Sequence, residues 1–235
     1  PQFDINVPTC TVDLGLEVST DPGFDDITFQ DEGSQLSYPQ DAGNALVPGK
    51  TYYWRVRLNP SSGDPSPWSD AGSFSIEPIE LTDPSSADLS TVRPTFNAVI
   101  PQGFSGLEIR VSNQDDPSVD MANIYSSIIS SLPFDFPSDV SEGLLPGKSY
   151  YWKIITLDQN ETIAGEISDY PAGSFTIQGI ELTSPSNQAV DISMKPILMW
   201  EGPLGVDKYR FDIAFGSSEI QNPIYTDYTE SSFYS

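Results

Sequence analysis

The residue types that carry most enzymatic chemistry are scarce in this chain. Histidine is absent, which removes Ser-His-Asp and Cys-His nucleophiles and histidine-ligated zinc. Cys10 is the one cysteine, so no internal disulfide forms, and a small buried hydrophobic role is predicted for it. Asp and Glu number 34, yet acid–base catalysis needs carboxyls whose pKa values are separated by a concave site. The sequence therefore predicts no catalytic residues and no organic cofactor.

Two acidic clusters fall in turn-rich segments. They consist of Asp21, Asp25 and Asp26 around Pro22-Gly23, and of Asn113, Asp115, Asp116 and Asp120 around Pro117. Oxygen-rich loops can hold Ca²⁺, which takes six to eight oxygen ligands, but neither cluster has the EF-hand spacing. Solvated turn residues are the favoured interpretation, and calcium binding is the alternative.

Three exposed groups have possible surface chemistry. Tyr53 and Tyr151 could stack on sugar rings, although cross-strand or neighbour packing is the favoured interpretation. Asn160-Glu161-Thr162 is an N-glycosylation sequon, which matters only in a source that glycosylates. Each remains an open alternative at the level of sequence.

The formal charge of -24 limits the partners. Nucleic acids and anionic membrane surfaces would be repelled, and a solvated, self-repelling acidic surface is expected, with divalent-cation binding as the alternative. We expect no membrane span and no signal peptide within these residues, because no run of 18 apolar residues and no basic leader occurs.

The elements that would position these groups are identified by internal repetition. Residues 46–55, LVPGKTYYWR, return at 144–153 as LLPGKSYYWK, a shift of 98. Residues 71–76 return at 172–177 and residues 79–85 at 180–186, both shifted by 101. Three matches in one order establish a repeat of about 100 residues, with a three-residue insertion after Tyr-Tyr-Trp.

Period-two alternation within the matched strings predicts strands. Tyr52, Trp54 and Val56 alternate with outward residues, and in the second copy Tyr150, Trp152 and Ile154 face inward while Tyr151, Lys153 and Ile155 face solvent. Strands are predicted near 12–18, 51–58, 72–76, 95–99, 107–111, 149–157 and 173–177. No capped helical period is present, and the chain is predicted to be all-β.

The string Leu-x-Pro-Gly-x-x-Tyr before an aromatic strand resembles the tyrosine corner of fibronectin type III domains. The adjoining Tyr-Trp-Arg/Lys, Pro67-Trp68-Ser69 and Gly-Ser-Phe-Ser/Thr-Ile strings are similar to bacterial extracellular members. The resemblance implies tandem Ig-like, Greek-key β-sandwiches of seven strands, with Tyr52, Trp54, Tyr150 and Trp152 as structural corner residues. Ile167 replaces Trp68 in the second copy, so a weakly packed edge is expected there.

Three domains are predicted. Residues 1–78 form a module lacking its first strand, 79–178 form a complete module, and 179–235 form a module truncated in its C-terminal half. The phase follows from Pro1-Gln2-Phe3, which aligns with 94–96 and 196–198. Joints of a few residues predict a semi-rigid rod.

The resulting functional expectation is a structural or adhesive spacer array of a large bacterial extracellular or cell-surface protein that presents other domains. Its partners would be neighbouring modules or subunits, or cell-surface glycans or proteins. Two alternatives stay open: the body of an extracellular filament with inter-subunit strand complementation, and an accessory array of a secreted polysaccharide-degrading enzyme.

Overall fold

The structure is a computed structural model, and it is almost entirely β. It describes residues 13–33, 46–60, 63–85, 88–113, 124–138, 144–158, 160–216 and 223–234. Within these ranges the regular structure is strand, apart from one turn of 3-10 helix over Ile167–Asp169. The prediction of an all-β chain is confirmed. Residues 1–78, 79–178 and 179–235 are called repeats one, two and three below.

Repeat two forms a sandwich of two sheets. Its strands are β5 (Glu80–Asp83), β6 (Asp88–Leu89), β7 (Thr95–Val99), β8 (Gly106–Ser112), β9 (Tyr125–Ile129), β10 (Phe134–Asp135), β11 (Ser149–Leu157) and β12 (Gly173–Ile177). One sheet has the order β10-β7-β5, and the other has the order β6-β12-β11-β8-β9. The strands predicted near 95–99, 107–111, 149–157 and 173–177 are confirmed.

The first strand of repeat two is divided between the sheets, which gives eight strands where seven were expected. β5 pairs antiparallel with β7, while β6 pairs parallel with β12 of the opposite sheet. Pro84 follows β5 directly and has no amide to continue the ladder. The chain therefore crosses from one sheet to the other at this edge.

The core of repeat two lies between these sheets. Trp152, fully buried on β11, meets the edge of Phe96 on β7 with ring centroids 5.1 Å apart. Phe96 in turn contacts Phe175 of β12 at 5.9 Å. Tyr150 and Ile154 are buried on the same face of β11, as their alternation predicts. These aromatic contacts join the sheets into one packed unit.

Repeat one contributes a single four-stranded sheet to the described residues. It contains β1 (Asp13–Ser19), β2 (Ile27–Gly33), β3 (Thr51–Asn59) and β4 (Gly72–Ser75), in the order β2-β1-β3-β4. Leu16, Val18 and Tyr52 are its most buried cluster. The strands predicted near 12–18, 51–58 and 72–76 are confirmed. Pro1-Gln2-Phe3 and Cys10 lie outside the described residues.

Repeat three has the strands β13 (Glu181–Ser184), β14 (Leu198–Glu201), β15 (Tyr209–Ile213), β16 (Tyr225–Thr229) and β17 (Phe233–Tyr234). They form the sheets β13-β14-β17 and β15-β16. Tyr225 pairs with Ile213 as Tyr125 pairs with Val111, so β15 and β16 reproduce the β8–β9 hairpin of repeat two.

One prediction about the outer face of β11 is wrong. Lys153 and Ile155, expected to face solvent, are both fully buried. The segment that follows β11 folds back over this face, and Tyr170 packs there in a second cluster with Ile155 and Ile79. The expected weak edge is also wrong, because Tyr170 and Ile167 provide the packing that Trp68 provides in repeat one.

Candidate functional site

The tyrosine corner has the same geometry in both repeats. The Val47 amide donates to the Tyr52 hydroxyl at 2.8 Å, and the Leu145 amide donates to the Tyr150 hydroxyl at 2.7 Å. Burial raises the pKa of the Tyr52 hydroxyl, so it stays protonated. Each hydroxyl ties the turn to the strand that follows it.

The Pro-Gly turn of each corner also holds the last strand of its repeat. Gly49 donates to the Ile76 carbonyl at 3.1 Å, and Gly147 donates to the Ile177 carbonyl at 2.9 Å. Both glycines have positive φ, at 81° and 73°, which side-chain-bearing residues seldom adopt. The corner is thereby fixed at the end of the sheet from which the chain leaves for the next repeat.

Two matched motifs recur together because their side chains meet. Trp54 is in register with Gly72, and Trp152 with Gly173. A Cβ built on Gly72 would lie 2.5 Å from the Trp54 indole nitrogen, and Gly173 is overlaid in the same way by Trp152. The indole therefore occupies the space that a side chain in place of the glycine would fill. The Tyr-Tyr-Trp string and the Gly-Ser-Phe string thus depend on each other, which neither string shows by itself.

Residues 66–69 of repeat one run beside β3 and form hydrogen bonds with it at two positions, Ser66 and Ser69. Ser66 exchanges hydrogen bonds with Leu58, and Ser69 does the same with Val56, through both backbone and hydroxyl. Trp68 lies between the two serines and covers the Arg55 and Arg57 guanidinium groups at 4.7 and 4.4 Å.

The acidic cluster near Pro22 is organised as a turn. Asp21 accepts the Asp25 amide at 2.9 Å, and backbone hydrogen bonds from Asp25 and Gly23 lower the pKa of its carboxyl. Asp26 bonds Ser19 only through its backbone carbonyl. Among the described ranges, no three His, Cys, Asp or Glu residues are grouped to hold a metal. Asp115, Asp116 and Asp120 lie outside those ranges.

The remaining candidates are at the surface. Tyr53 and Tyr151 are half-buried on the outer faces of β3 and β11. Asn160 is exposed in a tight loop, where its backbone N–H donates to the Asp158 carboxylate at 2.8 Å. The structure thus keeps the sequon side chain at the surface.

The contact between repeats one and two was not predicted. Lys50, next to the corner of repeat one, forms an ion pair of 2.7 Å with Asp169 in the 3-10 turn of repeat two. Val47 lies so close to Gly165 that a Cβ there would be 2.5 Å from a Val47 methyl. The corner of one repeat therefore meets the turn after β11 of the next.

The electrostatics of this joint favour the charged forms of both Lys50 and Asp169. The hydrogen bond that the Lys50 ammonium donates to the Asp169 carboxylate raises the pKa of the Lys50 amine. Partial burial of Asp169 opposes ionisation, but the Lys50 hydrogen bond and the Glu166 amide outweigh it and lower the pKa of the carboxyl. Lys153, which is buried on the outer face of β11, donates to the Ile167 carbonyl at 2.8 Å and supports the 3-10 turn.

Repeats two and three meet through a different set of residues. The Val92 amide donates to the Leu204 carbonyl at 3.0 Å, and the Leu204 amide donates to the Ser90 carbonyl at 2.7 Å. Val206 packs against the core of repeat two, and Gly205 lies beside Val92. This joint is a short backbone bridge with an apolar flank.

The sequence located the corners and the short joints, but it did not indicate which residues make contact across either joint. Lys50 has the identical Lys148 as its counterpart, so its recurrence was visible without indicating what it binds. Asp169 is the counterpart of Asp70, since Ile167-Ser168-Asp169 stands where repeat one has Trp68-Ser69-Asp70. A charge pair split between two repeats leaves no local pattern.

The two-sheet topology of repeat two, the paired tyrosine corners and the aromatic core define immunoglobulin-like β-sandwich modules. Residues 15–80 match the family of Rha78A-like N-terminal immunoglobulin domains. This match covers repeat one from β1 to the start of β5. The Ig-like fold and the resemblance to fibronectin type III domains are confirmed. No curated protein matches the sequence.

Two solved structures match this chain at low identity. The fibronectin(III)-like modules of Clostridium thermocellum CbhA share 12% identity, with a TM-score of 0.28 over 74% of this chain and 83% of that one. The FN1-FN3 domains of chicken CNTN1 share 12% identity, with a TM-score of 0.25 over 93% of this chain and 78% of that one. In the described part of this chain, no helix is long and apolar enough to cross a bilayer.

Proposed function

We propose that the chain is a non-catalytic spacer array of a large extracellular or cell-surface protein, which holds other domains at a distance. The observation that carries this proposal is the contact between repeats one and two, where Lys50 pairs with Asp169 and Val47 packs on Gly165. A spacer needs joints that resist bending, and a joint with both apolar and ionic contacts resists it better than a tether.

The charge distribution supports a spacer in preference to a nucleic-acid or membrane-surface binder. A net charge of -24 repels polyanions and keeps extended modules apart. The short connection between β4 and β5, residues 76–79, leaves little freedom between the sheets. Partners would be the neighbouring modules themselves, or glycans and proteins at a cell surface.

The spacer proposal is tested by the distance distribution across the first joint. One spin label is placed in repeat one and one in repeat two, in a chain whose Cys10 is replaced by serine. A single narrow distribution is expected, and Lys50→Ala should broaden it. Lys208→Ala, which removes an exposed lysine far from this joint, is the matched control. A broad distribution in the parent chain would contradict a stiff spacer.

A further inference from the structure

We propose that the corner of repeat two, formed by Leu145, Pro146 and Lys148, is a docking surface for a Gly-x-x-x-Asp turn carried by the following module of an array. The turn is of the kind that Gly165–Asp169 forms. This inference rests on the proposed function as a modular array, and it assigns the chemistry by which one module recognises the next.

Repeat one shows the occupied form of this surface. Val47 is 8% exposed and lies against Gly165 of repeat two, and Pro48 beside it is also buried. Lys50 reaches Asp169 at 2.7 Å from the rim of the same corner. The contact therefore has an apolar centre and one ionic partner at its edge, which together give a register and an orientation.

Repeat two shows the same corner without an occupant. Its backbone bonds match those of repeat one: the Leu145 amide meets the Tyr150 hydroxyl, and Gly147 meets the Ile177 carbonyl. Leu145, however, is 58% exposed, and Lys148 is exposed with no ion pair to any described residue. The difference lies in what covers the corner and not in how the corner is built.

The chain itself brings the next module to this end of repeat two. Leu204 of repeat three bonds to Ser90 and Val92, which follow β6. β6 pairs with β12, and Ile177 at the end of β12 donates to the Lys148 carbonyl. The bridge and the corner are therefore neighbours, and the two joints display complementary parts of one interface.

The chemistry of the corner sets the requirements on its partner. A carboxylate must reach the Lys148 amine, as Asp169 reaches Lys50. A glycine must face Leu145, because a Cβ at Gly165 would lie 2.5 Å from Val47 and because its φ is +72°. A turn with both features fits, whereas a turn with a bulky residue or a lysine in these places would be excluded.

The experiment builds the complete second joint. Residues 179–235 are replaced by a second copy of 79–178, in a chain with Cys10 changed to serine. Two samples carry spin-label pairs, one pair across each joint, and pulsed electron resonance gives both distance distributions. Lys50→Ala and Lys148→Ala are reciprocal controls, since each removes the same side chain from one joint only.

We expect a narrow distribution at both joints of the parent. Lys148→Ala or Leu145→Asp should broaden the second joint by about twofold and leave the first unchanged, because an unheld joint samples many orientations. Lys50→Ala should do the reverse. Circular dichroism confirms that each variant is folded, and Lys148→Ala alters only an exposed side chain.

Two results would overturn the inference in distinguishable ways. In the first, neither Lys148→Ala nor Leu145→Asp broadens the distance distribution at the second joint, while Lys50→Ala broadens it at the first. This result would reject the docking surface but not the spacer function. Broad distributions at both joints of the parent would reject the docking surface and the stiff spacer together.

Discussion

At the scale of single residues, the pairing of an indole with a glycine is the most constraining contact in the core. Trp152 is fully buried and lies over Gly173 on the adjacent strand. The corner tyrosines come second, since each hydroxyl accepts the backbone amide of the residue that precedes its Pro-Gly turn. Both contacts predict specific losses of stability.

Gly173→Ala should destabilise repeat two by about 2 kcal/mol, because its methyl group would overlap the Trp152 indole in a close-packed core. Gly179→Ala is the matched control, since no heavy atom lies within 4 Å of a Cβ at that position. Urea denaturation followed by tryptophan fluorescence measures both. Equal midpoints for the two variants would contradict the indole–glycine contact.

Tyr150→Phe should cost about 1 to 2 kcal/mol, because the Leu145 amide loses its acceptor while the ring remains in place. Tyr228→Phe removes a hydroxyl from a residue that is 57% exposed and should change stability little. Thermal unfolding by calorimetry compares the two variants. A midpoint for Tyr150→Phe that coincides with that of Tyr228→Phe would show that the corner hydroxyl is dispensable.

The corner residues could be predicted from sequence because the whole motif lies within a few consecutive positions. Tyr52 and Tyr150 each stand three positions after the glycine of the Pro-Gly turn, and period two then assigns Trp54 and Trp152 to the inner face. Burial of Lys153 could not be predicted, since the segment covering it follows β11 after a loop. Period-two alternation predicts the face of the sheet to which a side chain belongs. It does not predict whether a segment later in the sequence covers that face.

At the scale of elements, the ion pair of the first joint should respond to pH at both limits. The pKa of Asp169 is lowered from 3.8, so its contribution to docking is present above that value and lost as pH falls through the lowered pKa. The pKa of Lys50 is raised from 10.5, so its contribution is present below that value and lost as pH rises through the raised pKa.

We therefore expect the first joint to be held between about pH 4 and 10 and to loosen outside this window. Spin-label distances across the joint, recorded along a pH series, measure the change. Asp169→Asn should abolish the acid limb, while leaving an amide of the same shape in place. An acid limb that persists in Asp169→Asn would assign the response to another carboxyl.

At the scale of the whole molecule, the acidic surface determines behaviour in solution. The described acidic turn near Pro22 uses the Asp21 carboxylate to accept a backbone amide, which competes with metal binding. The charge of -24 instead makes the chain sensitive to general ionic strength, because like charges repel over a Debye length of about 10 Å at 0.1 M salt.

The melting temperature should therefore be the same in EDTA and in excess Ca²⁺ when ionic strength is matched. Differential scanning calorimetry on the full chain makes the comparison, with Mg²⁺ as the control for nonspecific screening. A rise of several degrees with Ca²⁺ alone would favour a calcium site at the acidic clusters. Asp21→Asn and Asp116→Asn would then show which cluster is responsible.

Lys148 directly precedes β11, whereas Asp169 lies in the 3-10 turn that Lys153 supports from the outer face of β11. Repeat two thus bears the proposed receptor in its corner and a matching ligand in its turn. A gene that duplicates this repeat recreates a compatible junction, as one-dimensional repeat proteins do. The array can lengthen in evolution by copies of one repeat without redesigning an interface.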